Sequence, residues 1–206
     1  ADWGMDALAG FNVRNKQYEN NYQAAPRLAV ADLYTLTNSR DQLTSSNYFY
    51  RLRQYGLYAS AQVNYRGWAF LNMTGRNDWS STLPAGNNSY FYPSVSASVV
   101  LSEFIPMPSW IDFWKMRGSW TQTKKDLSIY DTNRAYTIKN NSWDGLNGAT
   151  YPTKIRGALI NPSSTRSFEI GTALHFLKNR LNLDIAYYQK LFYNLTTDAQ
   201  ISDASG

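Results

Sequence analysis

Apolar and polar residues alternate strictly along two runs that meet at Arg66-Gly67. In the first run Leu57, Ala59, Ala61, Val63 and Tyr65 fall on one side, with Tyr58, Ser60, Gln62 and Asn64 on the other. The second run sets Ala69, Leu71, Met73 and Gly75 against Asn72, Thr74, Arg76 and Asp78. A period of two sends successive side chains to opposite faces of a strand, so both runs predict strands with one apolar and one polar face. Each run holds about ten residues, the length a tilted strand needs to cross a bilayer. Strands of soluble sheets are nearer five or six residues. The hairpin reads as part of a membrane barrel.

The same pattern predicts about seven strands in all. The first carries Met5, Ala7, Ala9, Phe11 and Val13 against Asp6, Gly10, Asn12 and Arg14. The second extends from about Asn47 to Tyr65, and the third from Trp68 to about Ser80. The fourth covers Tyr92 to Leu101, the fifth Phe113 to Thr123, the sixth Phe168 to Phe176 and the seventh Leu181 to Tyr188. The predicted fold class is all-β, part of a transmembrane antiparallel barrel.

The connections alternate as well. After strands two, four and six come Arg66-Gly67, Ser102 to Asp112 and Leu177 to Asn179. The other connections are Tyr18 to Ser46, Ser81 to Phe91, and a stretch from Lys124 toward Ser167. Arg66-Gly67 and Asn147-Gly148 are turn signals and carry no chemistry. Short turns on one side and long loops on the other match an outer-membrane barrel with periplasmic turns and extracellular loops. Tyr65, Trp68, Trp110, Phe113 and Phe176 flank the short turns, where one aromatic girdle is expected.

Parity then sorts the charges. Arg76, Asp78, Lys115, Arg117, Glu169 and Asp184 take lumen-side positions, where they are expected to pair with one another or with a plug. A charge on the lipid side would cost about 2–4 kcal/mol at the midplane. Arg51 and Arg53 share the lipid-side parity but lie toward the outer end of a long strand. Above the hydrocarbon they are placed to meet anionic lipid phosphates.

Composition narrows the function classes. The chain has 206 residues, 43% of them hydrophobic, and a mean hydropathy of -0.49. A negative average is compatible with a barrel, which confines its apolar residues to alternate positions. Sixteen tyrosines and seven tryptophans suit membrane interfaces and also sugar-binding surfaces. The net charge of +5 is scattered, with short pairs such as Lys124-Lys125, so no nucleic-acid partner is expected.

Catalytic readings fare badly. With one histidine, His175, and no cysteine, the common multi-His and Cys/His metal sites are excluded. His175 reads as a polar wall residue. Asp126 and Asp131 lack the dense acidic spacing of a calcium loop and read as solvated loop charges. Neither an enzyme nor a cofactor is expected.

Several stretches resemble SusC/RagA-type TonB-dependent transporters. They include Leu8-Ala9-Gly10-Phe11, Asp32-Leu33-Tyr34-Thr35-Leu36-Thr37-Asn38, Val63-Asn64-Tyr65 and Arg76-Asn77-Asp78-Trp79-Ser80-Ser81. Further along come Tyr92-Pro93-Ser94-Val95-Ser96-Ala97 and Met116-Arg117-Gly118-Ser119-Trp120-Thr121-Gln122-Thr123. Asn161-Pro162 with Ser167-Phe168-Glu169-Ile170-Gly171, and the run from Asn179 to Tyr188, complete the set. Trp79 stands where the family often has Gly, and Lys124-Lys125 replaces its usual Gly-Asn.

The resemblance implies a barrel of about 22 strands, of which residues 1–206 are an incomplete segment. The plug and the TonB-contact segment are expected to lie outside this chain. The implied function is active import of an oligosaccharide or peptide across the bacterial outer membrane, energised through TonB. The implied partners are a SusD-like surface lipoprotein, TonB, outer-membrane lipid, and the remainder of the barrel with its plug. A secreted β-sandwich that binds carbohydrate through exposed Tyr and Trp is the alternative from another class. It predicts the apolar faces buried against a second sheet. A passive porin would share the wall and lack the energy coupling.

Overall fold

The computed structural model describes residues 2–132, 135–138, 148–150 and 160–197. Its long strands are β1 (Trp3–Ala24), β2 (Thr44–Tyr65), β3 (Ala69–Ser80), β4 (Ser89–Val100), β5 (Ile111–Lys125), β8 (Ser163–Phe176) and β9 (Leu181–Tyr193). They form one sheet in the order β1-β2-β3-β4-β5-β8-β9, so every strand neighbours the next long strand in the chain. Two short strands, β6 (Thr137–Ile138) and β7 (Ala149–Thr150), pair as a separate ribbon within the connection from β5 to β8. Of the turn expected at Asn147-Gly148, Asn147 lies outside the described residues and Gly148 immediately precedes β7.

The chain divides into two compact units, Ala1–Val13 with Gln54–Gly206, and Arg14–Arg53. In the first, antiparallel registers carry the predicted parity across the sheet. Met73 faces Ala61 on one side and Val95 on the other, while Thr74 faces Ser60 and Ser94. Val95 continues to Trp120 and then to Phe168, whereas Ser98 continues to Arg117 and Gly171. Directly opposed residues share a face, so the unit has one apolar and one polar side. A β-turn over Tyr65–Trp68 joins β2 to β3, with positive φ at both central residues, Arg66 at 48° and Gly67 at 73°, the handedness that suits the strand twist.

The apolar face lacks a protein cover among the described residues. Met5, Phe11, Leu57, Met73, Ile170 and Ile185 are between 41% and 78% exposed. Among the described residues the buried apolar ones are Leu52, Leu83, Tyr90 and Val100. A sandwich would bury this face against a second sheet about 10 Å away. That alternative is overturned, and a face of this extent fits lipid.

Within Arg14–Arg53 the outer halves of β1 and β2 flank a loop from 25 to 43 that is held by its own polar groups. The Asn38 side chain donates to the carbonyls of Val30 and Leu33 and accepts from the Val30 amide. Arg27 makes two bonds to the Asp41 carboxylate, 2.5 and 2.7 Å. The rings of Tyr18, Tyr48 and Tyr50 pack together, and Asn47 bonds to Asn21. Arg51 donates to Gln17 at 3.2 Å and lies over the Phe49 ring.

Strand ends differ from the sequence expectation. β1 runs 22 residues to Ala24 instead of giving way to a connection at Tyr18, β8 begins at Ser163, and β9 reaches Tyr193. From Arg14 to Gln23 β1 is polar or aromatic on both parities and exposed, so hydrophobic periodicity has nothing to report there. At roughly 3.3 Å per residue, 22 residues span more than any hydrocarbon layer.

Candidate functional site

The polar face of the first unit gathers five of the six predicted charged residues into two clusters. In the first, Arg76 Nε lies 2.8 Å from Asp78 Oδ1, and a second guanidinium nitrogen donates to Asn12 Oδ1 at 3.0 Å. The other Asp78 oxygen accepts from the Tyr92 hydroxyl at 2.6 Å. The Arg76 guanidinium also lies 5.7 Å from the centre of the Tyr58 ring. One cluster thus joins β1, β2, β3 and β4.

The second cluster joins β5, β8 and β9. Arg117 grips Asp184 with two parallel bonds of 3.0 and 2.8 Å, and its Nε lies 3.7 Å from Glu169. A planar guanidinium matches a carboxylate with two donors, which fixes orientation as well as charge. Lys115, the sixth predicted residue, has no carboxylate within ion-pair distance among the described residues. It lines a concavity of about 220 Å³ with Arg117, Glu169, Asn72, Ser96 and Ser98.

Both clusters lie flat because glycines leave space beneath them. A Cβ on Gly56 would come within 2.5 Å of Asp78 Oδ1 and 2.6 Å of an Arg76 nitrogen. A Cβ on Gly171 would meet Arg117 Nε at 2.9 Å. Gly10 does the same for Tyr58, and Gly4 for Asn64. Glycine inside a strand often marks such close approach. Sequence parity sets Gly10 and Gly171 among the polar-side positions and says nothing of Gly4 or Gly56, and the neighbour above each glycine depends on register.

A third cluster sits where β5 ends. Asp126 Oδ2 accepts from Gln54 at 2.6 Å, Ser80 at 2.7 Å and Thr82 at 3.3 Å. Ser80 and Thr82 are 2% and 7% exposed, so the carboxylate satisfies hydroxyls that water scarcely reaches. The reading of Asp126 as a solvated loop charge is therefore corrected. Asp131 accepts from the Ser128 amide at 3.1 Å.

At the short-turn end four of the predicted aromatics make contacts in two groups, one of which also takes in Trp3 and Phe104. Trp3 meets Tyr65 at 4.5 Å, Tyr65 meets Trp68 at 5.4 Å, Trp68 meets Phe104 at 4.7 Å, and Trp110 stacks on Phe176 at 5.7 Å. Phe113 departs from the expected girdle. A register shift between Ile111 and Phe113 pairs it with His175 on the polar face, where the rings lie 4.9 Å apart. His175 Nδ1 also contacts Asn179 Oδ1 at 2.9 Å, which ties the wall to the β8–β9 turn.

Comparison with known proteins agrees with this architecture. The family model described as TonB dependent receptor-like, beta-barrel, matches residues 2–206. No curated protein sequence matches the chain. Among solved structures, that of the RagAB peptide transporter aligns with a TM-score of 0.79 at 18% identity, over 98% of this chain and 23% of that one. The RagAB peptide importer in its closed-closed state gives 0.74 at 17% identity, over 91% of this chain and 21% of that one. Its open-open state gives 0.71 at 19% identity, over 89% and 21%. The chain therefore spans less than a quarter of the length of these structures. The resemblance read from the sequence holds in family and in fold. With its alternating faces, its exposed apolar side and this match along nearly every residue, the chain belongs to the TonB dependent receptor-like β-barrel family, a family of bacterial outer-membrane transporters rather than enzymes.

Proposed function

We propose that the chain is a stretch of wall from a larger outer-membrane importer of peptides or oligosaccharides, driven through TonB. The observation that carries this reading is the seven-strand sheet with one lipid-compatible face, matched to the family barrel over residues 2–206. The peptide class draws support from the RagAB structures, which share the fold. The polar face is the lumen side, where Arg76, Asp78, Lys115, Arg117, Glu169 and Asp184 line a hydrated wall beside a plug supplied from outside residues 1–206. The long connections reach the outer surface, where a SusD-like lipoprotein covers the mouth. In this role the segment carries out no bond chemistry. Its paired charges hold neighbouring strands and keep the lumen face wet, so a polar solute crosses without meeting an apolar wall.

The test is uptake of labelled peptides and labelled oligosaccharides by cells with and without the parent transporter. Loss of one class on deletion, and arrest of that uptake by a protonophore, are the expected results. Uptake that persists with the inner membrane de-energised would instead establish a passive pore. No change for either class would overturn the import reading.

A further inference from the structure

The apolar face carries a strict charge rule with two exceptions. Within the first unit, past the turn-side bulge at Asp112, the strand carboxylates Asp6, Asp78, Glu169 and Asp184 all take polar-face positions. On the apolar face of the same unit, the charged residues among the described strands are Lys124 and Arg166. Both are cations, and both lie at the long-loop ends of adjacent strands.

Register fixes their height. Moving outward along β5 and β8, the opposed apolar-face pairs are Met116 with Thr172, Gly118 with Ile170, and Trp120 with Phe168. The next pairs are Gln122 with Arg166 and Lys124 with Ser164. From Phe176 to Phe168 the strand climbs about 20 Å for a 40° tilt, and Arg166 comes one step beyond, near the top of a ~25 Å apolar band. The aromatic pair Trp120 and Phe168 thus marks the interface, and the two cations begin just past it.

The local chemistry suits an anion. The Arg166 guanidinium lies 5.6 Å from the centre of the Tyr193 ring, and the Tyr193 hydroxyl is held by Gln122 at 2.7 Å. This cation–π contact with the ring uses none of the guanidinium N–H donors, which are left for a tetrahedral oxyanion. Lys124 stands diagonally across the strand pair and adds a point charge. Neither cation has a carboxylate within ion-pair distance among the described residues.

We propose that Lys124 and Arg166, with Tyr193 and Gln122 in support, bind the uncompensated phosphate of a net-anionic lipid headgroup in the leaflet on the long-loop side. The inference rests on the sheet crossing a bilayer and is independent of what the transporter carries. The phosphate would anchor the wall at a fixed depth while the apolar face below it meets acyl chains.

The test uses the full transporter, purified in detergent and titrated with phosphatidylglycerol or phosphatidylcholine under native mass spectrometry. Wild type should retain phosphatidylglycerol in preference. Lys124→Gln and Arg166→Gln should each weaken that retention roughly fivefold, and the double variant should lose both contributions. Lys190→Gln, a cation on the polar face, should leave retention unchanged. Heat-modifiable migration on a gel verifies folding, and if the double variant fails to fold, Lys124→Gln alone carries the test. Equal retention of both lipids by wild type, or unchanged retention in the variants, overturns the proposal. Displacement of the lipid by millimolar inorganic phosphate would overturn it too, by revealing a soluble-anion site.

Discussion

At the scale of single residues, the polar face depends on what is missing as much as on what is present. Gly56 and Gly171 have no side chain, and the Arg76–Asp78 and Arg117–Asp184 pairs lie across the space. Gly56→Val should therefore lift the first pair from the wall and lower barrel stability by about 1–3 kcal/mol, the usual cost of overpacking. The temperature at which the parent barrel loses its compact gel migration reads this directly, and an unchanged temperature would show that the pair moves aside freely. Arg117 makes a different prediction, because its removal leaves Glu169 and Asp184 on neighbouring strands without their shared cation. Arg117→Met should lower that temperature more than Asp184→Asn does. Adding Glu169→Leu and Asp184→Leu to Arg117→Met should recover part of the loss, since an ion cluster is harmed most by losing one partner. Equal effects of the single variants would mean that water already compensates these charges.

At the scale of elements, strands and loops obey different physics, and this decides what could be read in advance. β3, β4 and β5 have lipid on one face and polar surroundings on the other, so alternation reports them nearly end to end. The outer halves of β1 and β2 lack that contrast, and their pairing rests on backbone bonds and rings such as Tyr18 on Tyr50. Asp126 was legible as a residue and illegible as an anchor, because its three donors come from β2, β3 and the loop that follows. Hydrogen bonds to a charged group contribute about 1.5–3 kcal/mol each, so Asp126→Ala should raise tryptic cleavage after Lys125 by roughly tenfold or more. The compact gel migration of the barrel should persist, which separates loop release from unfolding. In the loop from 25 to 43, the Arg27 hydrogen bonds hold the Asp41 carboxyl below its ordinary value. A depressed folded value means that this contact contributes above the unfolded carboxylate range and is lost as pH falls through the folded value. Amide exchange at Ala29 and Arg40 should therefore quicken on acidification, modestly because the pair is exposed and screened by salt. Asp41→Asn should be equally fast at neutral pH and should flatten the pH response.

At the scale of the whole molecule, the sheet order gives β1 and β9 a single neighbour each among the described strands. Each therefore has one edge of backbone amides and carbonyls without a partner strand, on an element whose apolar face suits lipid. An unsatisfied backbone group in hydrocarbon costs several kcal/mol, so the free edges of an isolated sheet would outweigh much of what lipid contact contributes. The family barrel resolves this by closure, and the solved structures sharing the fold are more than four times the length this chain covers. The 206-residue chain expressed alone and refolded into detergent should then associate through its edges, with no stable monomer and no conductance in planar bilayers. In the parent, the amides of β1 and β9 should exchange as slowly as those of β4, because every edge is paired. Introducing Pro at Ile185, in the middle of β9, should abolish assembly of the parent, since a central strand cannot lose a ladder donor in lipid. A heat-modifiable monomer of the isolated chain would show that it satisfies its own edges, and the larger barrel would then be unnecessary to explain it.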